Sequence, residues 1–596
     1  MKILSEKIKN YMGENPFGDY QGRNFSDKKI SSEFYPISSF WSLFNDQHEI
    51  LIGSRGSGKT FLLKMMRYSM LKKIDDKIAH KYVSSKKYVA LYVPMHLEFV
   101  VSFTSPEMTE KQQILLFQMA FNCLLAQSLI SEIKSLTEDI EDEIKRKELT
   151  VKLTKKINEV WFGDDLDYYD FSELHEKINK VYYNIDLKNI ETNLIPTIFT
   201  HKIGSSLLSV KSLIEQILGL SEPTWIICVD EAEFLNATLQ RCINDIFRSD
   251  SNRIALKIAT LPFYHTTLDT LCDGISVSEG NDFNYRVIDM DYDSKDFINL
   301  TNKICSQRLK ISDADLGDLT LEEFVGTVGK DDFIDYYKKE VGENNATYDI
   351  IKSNIIGSFS EKKRRGTTSY ENERKTIYDK YSTIYFTREM YKKSLKGNSK
   401  PGWYAGAKTI RKVTQGNPRM FIHIMNNLFE KAMNTTLTPK TQHEVICKYA
   451  DSVCSSTVAL ESTGPIIYSG LSSIANILHE RVHQDELIAC SSSFNLTFSN
   501  QEQFEQNRRW IELAIAHSRL IVDNELKKGL RFTNSKLCLG GAFSVKYWLP
   551  MRKDTPATIK ISDVTFEKEY EVEIFNKRIN RKQKKSSGDN MQLSLF

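Results

Sequence analysis

The chain has 596 residues, and its 80 Lys and Arg against 78 Asp and Glu leave a formal net charge of +2. At about 150 residues per domain that length predicts three or four domains. Hydrophobic residues are 41% and charged residues 27% of the total, which excludes collagen-like, mucin-like and wholly disordered chains. No apolar run approaches the roughly 18 residues of a membrane span, and the opening MKILSEKIKN lacks the apolar stretch of a secretory signal. A cytoplasmic protein with no membrane partner is therefore expected. The nine cysteines (123, 228, 242, 272, 305, 447, 454, 490 and 538) stand singly, with no C-x-x-C spacing. That points away from a disulfide framework or a zinc knuckle. Near-neutral charge neither demands nucleic acid as a partner nor forbids a local basic patch.

Residues 1–48 are polar and broken by Asn15-Pro16-Phe17-Gly18 and Phe34-Tyr35-Pro36. They read as an ordered lead-in, not a domain. Glu49-Ile50-Leu51-Ile52 predicts a buried strand running into a glycine-rich turn. Residues 61–73 predict a helix with an apolar face, and 88–94 a second strand. Across 105–190, charge blocks alternate with apolar residues at helical spacing. This predicts a helical hairpin inserted in the core, its charges on a solvated face. The α/β pattern then resumes with a strand at 225–229, a helix at 235–247, and strands at 254–260 and 287–290. Such alternation predicts a mostly parallel sheet covered on both faces, an α/β core spanning 49–295.

Residues 296–450 read as mainly helical, with a basic loop at 361–368. From 451 to 570 the elements are short and mixed: an amphipathic helix at 504–517, apolar 520–522, Leu530-Arg531-Phe532-Thr533, and a Gly540-Gly541 turn. Helices followed by a short hairpin are the pattern of a winged helix. Residues 571–596 form a basic tail, with six Lys or Arg between 577 and 585.

Gly53-Ser54-Arg55-Gly56-Ser57-Gly58-Lys59-Thr60 fits G-x-x-x-x-G-K-S/T in full, between a strand and a helix. The glycines let backbone N–H groups converge on an anion at a helix N-terminus. Lys59 would reach the β- and γ-phosphates of ATP and Thr60 would bind Mg²⁺. Trp225-Ile226-Ile227-Cys228-Val229 delivers Asp230 to the end of an apolar strand, where it would hold the Mg²⁺ shell. Glu231 would polarise the attacking water, which points to hydrolysis. Glu233 reads as a helix cap.

These stations resemble the AAA+ ATPases, and within them the origin-recognition-complex type and its bacterial relatives. Two further stations carry the resemblance. Thr260 ends the next strand, where the family places its first sensor. Gly416-Asn417-Pro418-Arg419 precedes an amphipathic helix, where the family places a second-sensor arginine in a helical lid. The resemblance covers about 15–100, 200–295 and 400–435. It implies an AAA+ core with a helical lid over 296–450, with Arg419 touching the γ-phosphate and coupling the lid to nucleotide state. It also implies an arginine supplied across subunits of a homo-oligomer, with Arg286 the first choice and Arg248 and Arg253 behind it. Without such an arginine, the chain would belong to a slow, switch-like branch that recruits a separate effector protein.

His479-Glu480-Arg481-Val482-His483 matches the H-E-x-x-H of zinc peptidases. No histidine follows at the spacing of a third ligand and no edge strand precedes it, so zinc catalysis is not expected. The tail carries Gln592-Leu593-Ser594-Leu595-Phe596, which looks like the bacterial sliding-clamp-binding motif. Leu593, Leu595 and Phe596 would enter a hydrophobic groove, with Gln592 as a polar anchor. The adjacent basic run would lie near duplex DNA and neutralise phosphates. Together these resemblances imply an ATPase working at replicating DNA, in replication itself, in a mobile element or in antiviral defence.

Overall fold

The computed structural model describes residues 8–9, 11, 13–18, 26–104, 108–164, 168–186, 195–248, 253–311, 318–326, 333–355, 369–396, 402–460, 462–523, 527, 536–551 and 556–566. The basic loop at 361–368, residues 530–533 and the clamp-type peptide 592–596 lie outside the described residues.

Five parallel strands build the core: β1 (Glu49–Ile52), β2 (Tyr88–Pro94), β3 (Thr224–Asp230), β4 (Ile254–Thr260) and β5 (Asn284–Val287). Their spatial order is β2-β3-β4-β1-β5. The strand feeding the glycine loop and the strand carrying Asp230 are thus separated by β4. In register, Ile52 faces Thr260 and Val229 faces Ile258, so all three strands deliver their last residues to one edge. Side-chain alternation covers both faces. Ile50, Ile52, Val89, Leu91, Ile227 and Leu256 pack on one side. Leu51, Ala90, Ile226, Cys228 and Ala259 pack on the other, under the lead-in.

The lead-in is ordered where described. Ser26 caps α1 (Asp27–Glu33), and Ile30, Phe34, Ile37, Phe40 and Phe44 are buried against the sheet. The helix expected at 61–73 is instead broken into α2 (Lys59–Met65) and a turn at Tyr68–Leu71. Arg67 between them is extended, and its guanidinium pairs with Asp27 of α1 at 2.8 Å. The last core strand ends at Val287, three residues short of the expected 290, because Asp289 turns inward to the glycine loop.

The insertion forms three long helices where a hairpin was expected: α3 (Glu110–Glu138), α4 (Glu143–Trp161) and α5 (Phe171–Asp186). By length and composition alone α3 could cross a membrane, which amends the reading of the apolar runs. Here it is a core helix, with Phe117, Ala120, Phe121, Leu125 and Leu129 fully buried among sheet and insertion residues.

Beyond the sheet come α6 (Lys295–Ile311), α7 (Ala407–Thr414), α8 (Pro418–Asn434) and α9 (Pro439–Ser456). The C-terminal unit follows with α10 (Gly464–His483), β6 (Ser493–Thr497), α11 (Gln501–Ala516), β7 (Leu520–Val522), β8 (Lys536–Leu539), α12 (Gly541–Lys546) and β9 (Ala557–Lys560). A short antiparallel hairpin is present as β7–β8. The unit otherwise departs from the expected plan. β9 lies parallel to β6 in a four-stranded sheet, and one helix, α11, joins β6 to β7. The lid and this unit share one apolar core, with Phe421, Leu428, Ile446, Leu471, Phe494, Leu513 and Phe543 in a single cluster.

Candidate active site

The glycine loop leaves β1 at Gly53, whose N–H donates to the Thr260 carbonyl at 3.2 Å. Gly56 and Gly58 have φ of +91° and +97°, in the region that favours glycine. At Gly56 a side chain is also excluded by contact. An added Cβ would lie 2.8 Å from both the Arg419 Cβ and the Asn417 Oδ1. The lid therefore packs on the bare Cα of the loop.

Lys59 is buried, and its Nζ donates to the Gly53 carbonyl at 2.5 Å and the Ser54 carbonyl at 3.3 Å. Burial lowers its pKa, and Glu233, Asp289 and Asp230 oppose that shift. Asp230 is buried at the end of β3. It accepts the Tyr92 hydroxyl at 2.8 Å, the Glu231 N–H at 3.0 Å and a hydrogen bond from Thr60. Burial raises its pKa against these bonds. Glu231 has φ +58° and ψ +34°, a left-handed conformation that costs a non-glycine residue about 1–2 kcal/mol. Its Oε2 lies 3.0 Å from His96 Nδ1. Glu233 is not a simple cap: it is nearly buried beside Lys59, and burial pushes its pKa up.

Arg419 sits at the start of α8, and its N–H donates to the Gly56 carbonyl at 3.4 Å. One cleft of about 1350 Å³, counting the solvent at its mouth, is lined by Arg55 through Thr60, by Asp230, Glu231 and Glu233, and by Arg419. The structure thus brings the glycine loop, the acids and the lid arginine together. Thr260 is buried at the end of β4, behind the first residue of the loop.

The other end of the cleft was not foreseen. Phe34, Tyr35 and Ile37 of the lead-in, Ile304 of α6 and Ile422 of α8 make an apolar slot, with the Gln307 amide of α6 on its wall. Glu33 and Arg308 close it, paired at 2.6 Å. One signal lay in the sequence: Pro36 restricts Tyr35 to extended backbone, which sets an aromatic ring in a fixed strap. Among the described residues, four buried polar atoms of site residues find no hydrogen-bond partner: Ser57 Oγ, Thr260 Oγ1, Glu233 Oε2 and Gln307 Oε1. Unsatisfied buried polar groups are costly. A nucleotide with its metal fits this set, with Ser57, Thr260 and Glu233 at the loop end and, at the other, a slot that is apolar but for Gln307.

Arg286, the first choice for an arginine acting across subunits, is paired within its own chain. Its Nε donates to Glu49 Oε1 at 2.9 Å and its Nη1 to Ser42 Oγ at 2.8 Å. Glu49 opens β1 and also holds buried Lys257 at 2.8 Å; Arg286 lies opposite Leu51 in β5, and its side chain reaches back to Glu49, toward the end of the sheet away from the glycine loop. It joins Glu49 and Lys257 in an ion cluster within the chain. Arg248 and Arg253 pair with Asp282 and Glu222 at 3.2 and 2.5 Å. His479 and His483 do share a face of α10, but each ring bonds a backbone carbonyl. These are Tyr547 O at 2.7 Å and Trp548 O at 2.9 Å. The pair ties down the end of α12, and burial brings the His483 pKa to about 4.

A parallel sheet in this order, with the glycine loop, paired acids and a helical lid on one cleft, defines a P-loop NTPase of the AAA+ class. The chain belongs to the ORC-CDC6-like family, whose family model matches residues 15–559. No curated protein matches it.

Proposed function

We propose that this chain binds ATP with Mg²⁺ and hydrolyses it slowly, and that nucleotide state governs its contacts with DNA and with a bacterial sliding clamp. The observation that carries the reading is the meeting of Lys59, Asp230, Glu231 and Arg419 on one cleft. The bound metal would supply charge neutralisation between the phosphate oxygens. Thr60 and Asp230 would hold it. Lys59 would exchange the Gly53 and Ser54 carbonyls for phosphate oxygens. Glu231 would orient and deprotonate water, and Thr260 would fix that water or the terminal phosphate. Arg419 would report the γ-phosphate to the lid. DNA contact through the C-terminal unit, for which a winged helix was expected, is part of the proposal, as is clamp contact through 592–596. So is a setting in replication, a mobile element or defence.

A second reading, a nucleotide-latched sensor that recruits a separate effector with little turnover, is favoured by two observations. Glu231 is engaged by His96, and Arg286, Arg248 and Arg253 each pair with an acid of the same chain, the latter two at the surface. ATP titration of the wild type and Lys59→Ala tests the site, and turnover with and without duplex DNA separates the readings. Equal affinity in the two chains sinks the site assignment. DNA-stimulated turnover supports the ATPase reading, whereas nucleotide retained through purification supports the sensor.

A further inference from the structure

Two consecutive peptide units of the glycine loop are gripped from opposite sides. The Gly53–Ser54 unit presents its carbonyl to Lys59 at 2.5 Å, while its N–H donates to Asp289 at 3.0 Å. The Ser54–Arg55 unit presents its carbonyl to Lys59 at 3.3 Å, while its N–H donates to the Ala516 carbonyl at 2.9 Å. The carbonyl side thus belongs to the phosphate-binding lysine, and the N–H side leads to the C-terminal unit. Ala516 ends α11. Asp289 is held by Lys527, whose Nζ donates to Oδ2 at 2.8 Å, and the Ser54 hydroxyl adds a bond to Oδ1 at 2.6 Å. A third contact follows: Asn417 Nδ2 donates to the Arg55 carbonyl at 2.9 Å and to Ser518 Oγ at 3.3 Å.

Burial disfavours the Asp289 carboxylate, yet Lys527 and Ser54 outweigh it and keep the acid below the usual carboxylate range. A buried ion pair is a poor device for stability alone, because desolvation offsets its attraction. This one spans 238 residues of chain and ends on the loop.

We propose that Asp289 and Lys527 are positioning residues of the phosphate loop, through which the C-terminal unit sets how tightly the cleft holds nucleotide. The proposal rests on the nucleotide reading above. When Lys59 turns to phosphate, the two carbonyls lose their partner, and the N–H grip is what still holds these two peptide units in shape. A loop already held loses less freedom on binding. A partner that lifts the C-terminal unit would therefore release nucleotide. By reciprocity, nucleotide steadies the docking of that unit.

The test uses the full chain and a fluorescent ATP analogue with Mg²⁺. Lys527→Ala should weaken affinity about tenfold, within the usual range for coupled sites. Lys527→Arg, which keeps the charge, should restore most of it. In the wild type, ATP should slow amide exchange at 515–523 several-fold, a readout that a passive surface pair would not move. Wild-type affinity in Lys527→Ala, failure of Lys527→Arg to rescue, or exchange unmoved by ATP overturns the proposal while the nucleotide reading stands. No binding by the wild type fails the nucleotide reading itself, and this proposal with it.

Discussion

At the active site one strained residue stands out. Glu231 is held in a left-handed conformation of the kind that clusters at functional sites. The strain aims its carboxylate along the cleft, but His96 holds one oxygen at 3.0 Å. Two outcomes follow in an ATPase assay with matched binding measurements. Glu231→Gln should bind ATP as the wild type does and lose turnover by about a hundredfold or more. His96→Ala should raise basal turnover a few-fold at unchanged affinity, because it frees that oxygen; a fall would mean that His96 orients the base. Burial, then Lys257, brings the His48 pKa from 6.5 to about 4, and His48 Nδ1 accepts the Leu256 N–H at 3.1 Å. Between those values the unfolded chain binds the proton and the folded chain does not, so His48 makes stability rise with pH. Its contribution is intact above pH 6.5 and falls away as pH drops toward 4, by roughly 3 kcal/mol. His48→Asn keeps an acceptor without the titration, and denaturation midpoints over this range should show a slope flatter by one proton.

Elements were legible wherever a strong local pattern met a buried neighbour. Four of the five core strands were legible, because β-branched and apolar runs leave few alternatives; the fifth, expected at 287–290, lies at 284–287, where half-buried Asn284-Tyr285-Arg286-Val287 offers no apolar run. The insertion was legible only as helical. Its charge blocks suggested a solvated hairpin, whereas α3 is enclosed by segments far along the chain, and periodicity does not reveal which helix lies innermost. Asn122 on α3 makes the point. It is fully buried, donating to the Phe199 and Lys202 carbonyls and to Ser205 Oγ at 3.1–3.2 Å, and accepting the Gly204 N–H at 2.9 Å. In the sequence it is one polar residue in an apolar run; in the fold it fastens 197–208 to the insertion. Asn122→Leu would strip several buried groups of partners and should cost about 3 kcal/mol, read by denaturant unfolding, with nucleotide affinity unchanged when the chain is folded.

On the scale of the whole chain, sequence resolves what is local to a motif and misses what joins motifs. Asp289 and Lys527 belong to no motif in the sequence, and the shared core of lid and C-terminal unit arises from contacts across more than a hundred residues. The same reasoning makes the peptide 592–596 a matter for direct measurement, since its information is wholly local. Burying Leu593, Leu595 and Phe596 would contribute about 1.5–3 kcal/mol each. Their sum of roughly 4.5–9 kcal/mol, less the cost of ordering the peptide, leaves a Kd no tighter than about 1 μM, which is about 8 kcal/mol. The full chain should therefore bind purified bacterial sliding clamp with micromolar affinity, and deletion of 592–596 should abolish it. The basic run at 577–585 acts by charge, so its contribution should fall steeply with salt, while that of the apolar peptide should not. Clamp binding that survives the deletion but vanishes at high salt would assign the interaction to the basic run. No binding by the intact chain would leave the C-terminal unit, proposed above to be coupled to the nucleotide cleft, as the surface on which to seek a partner.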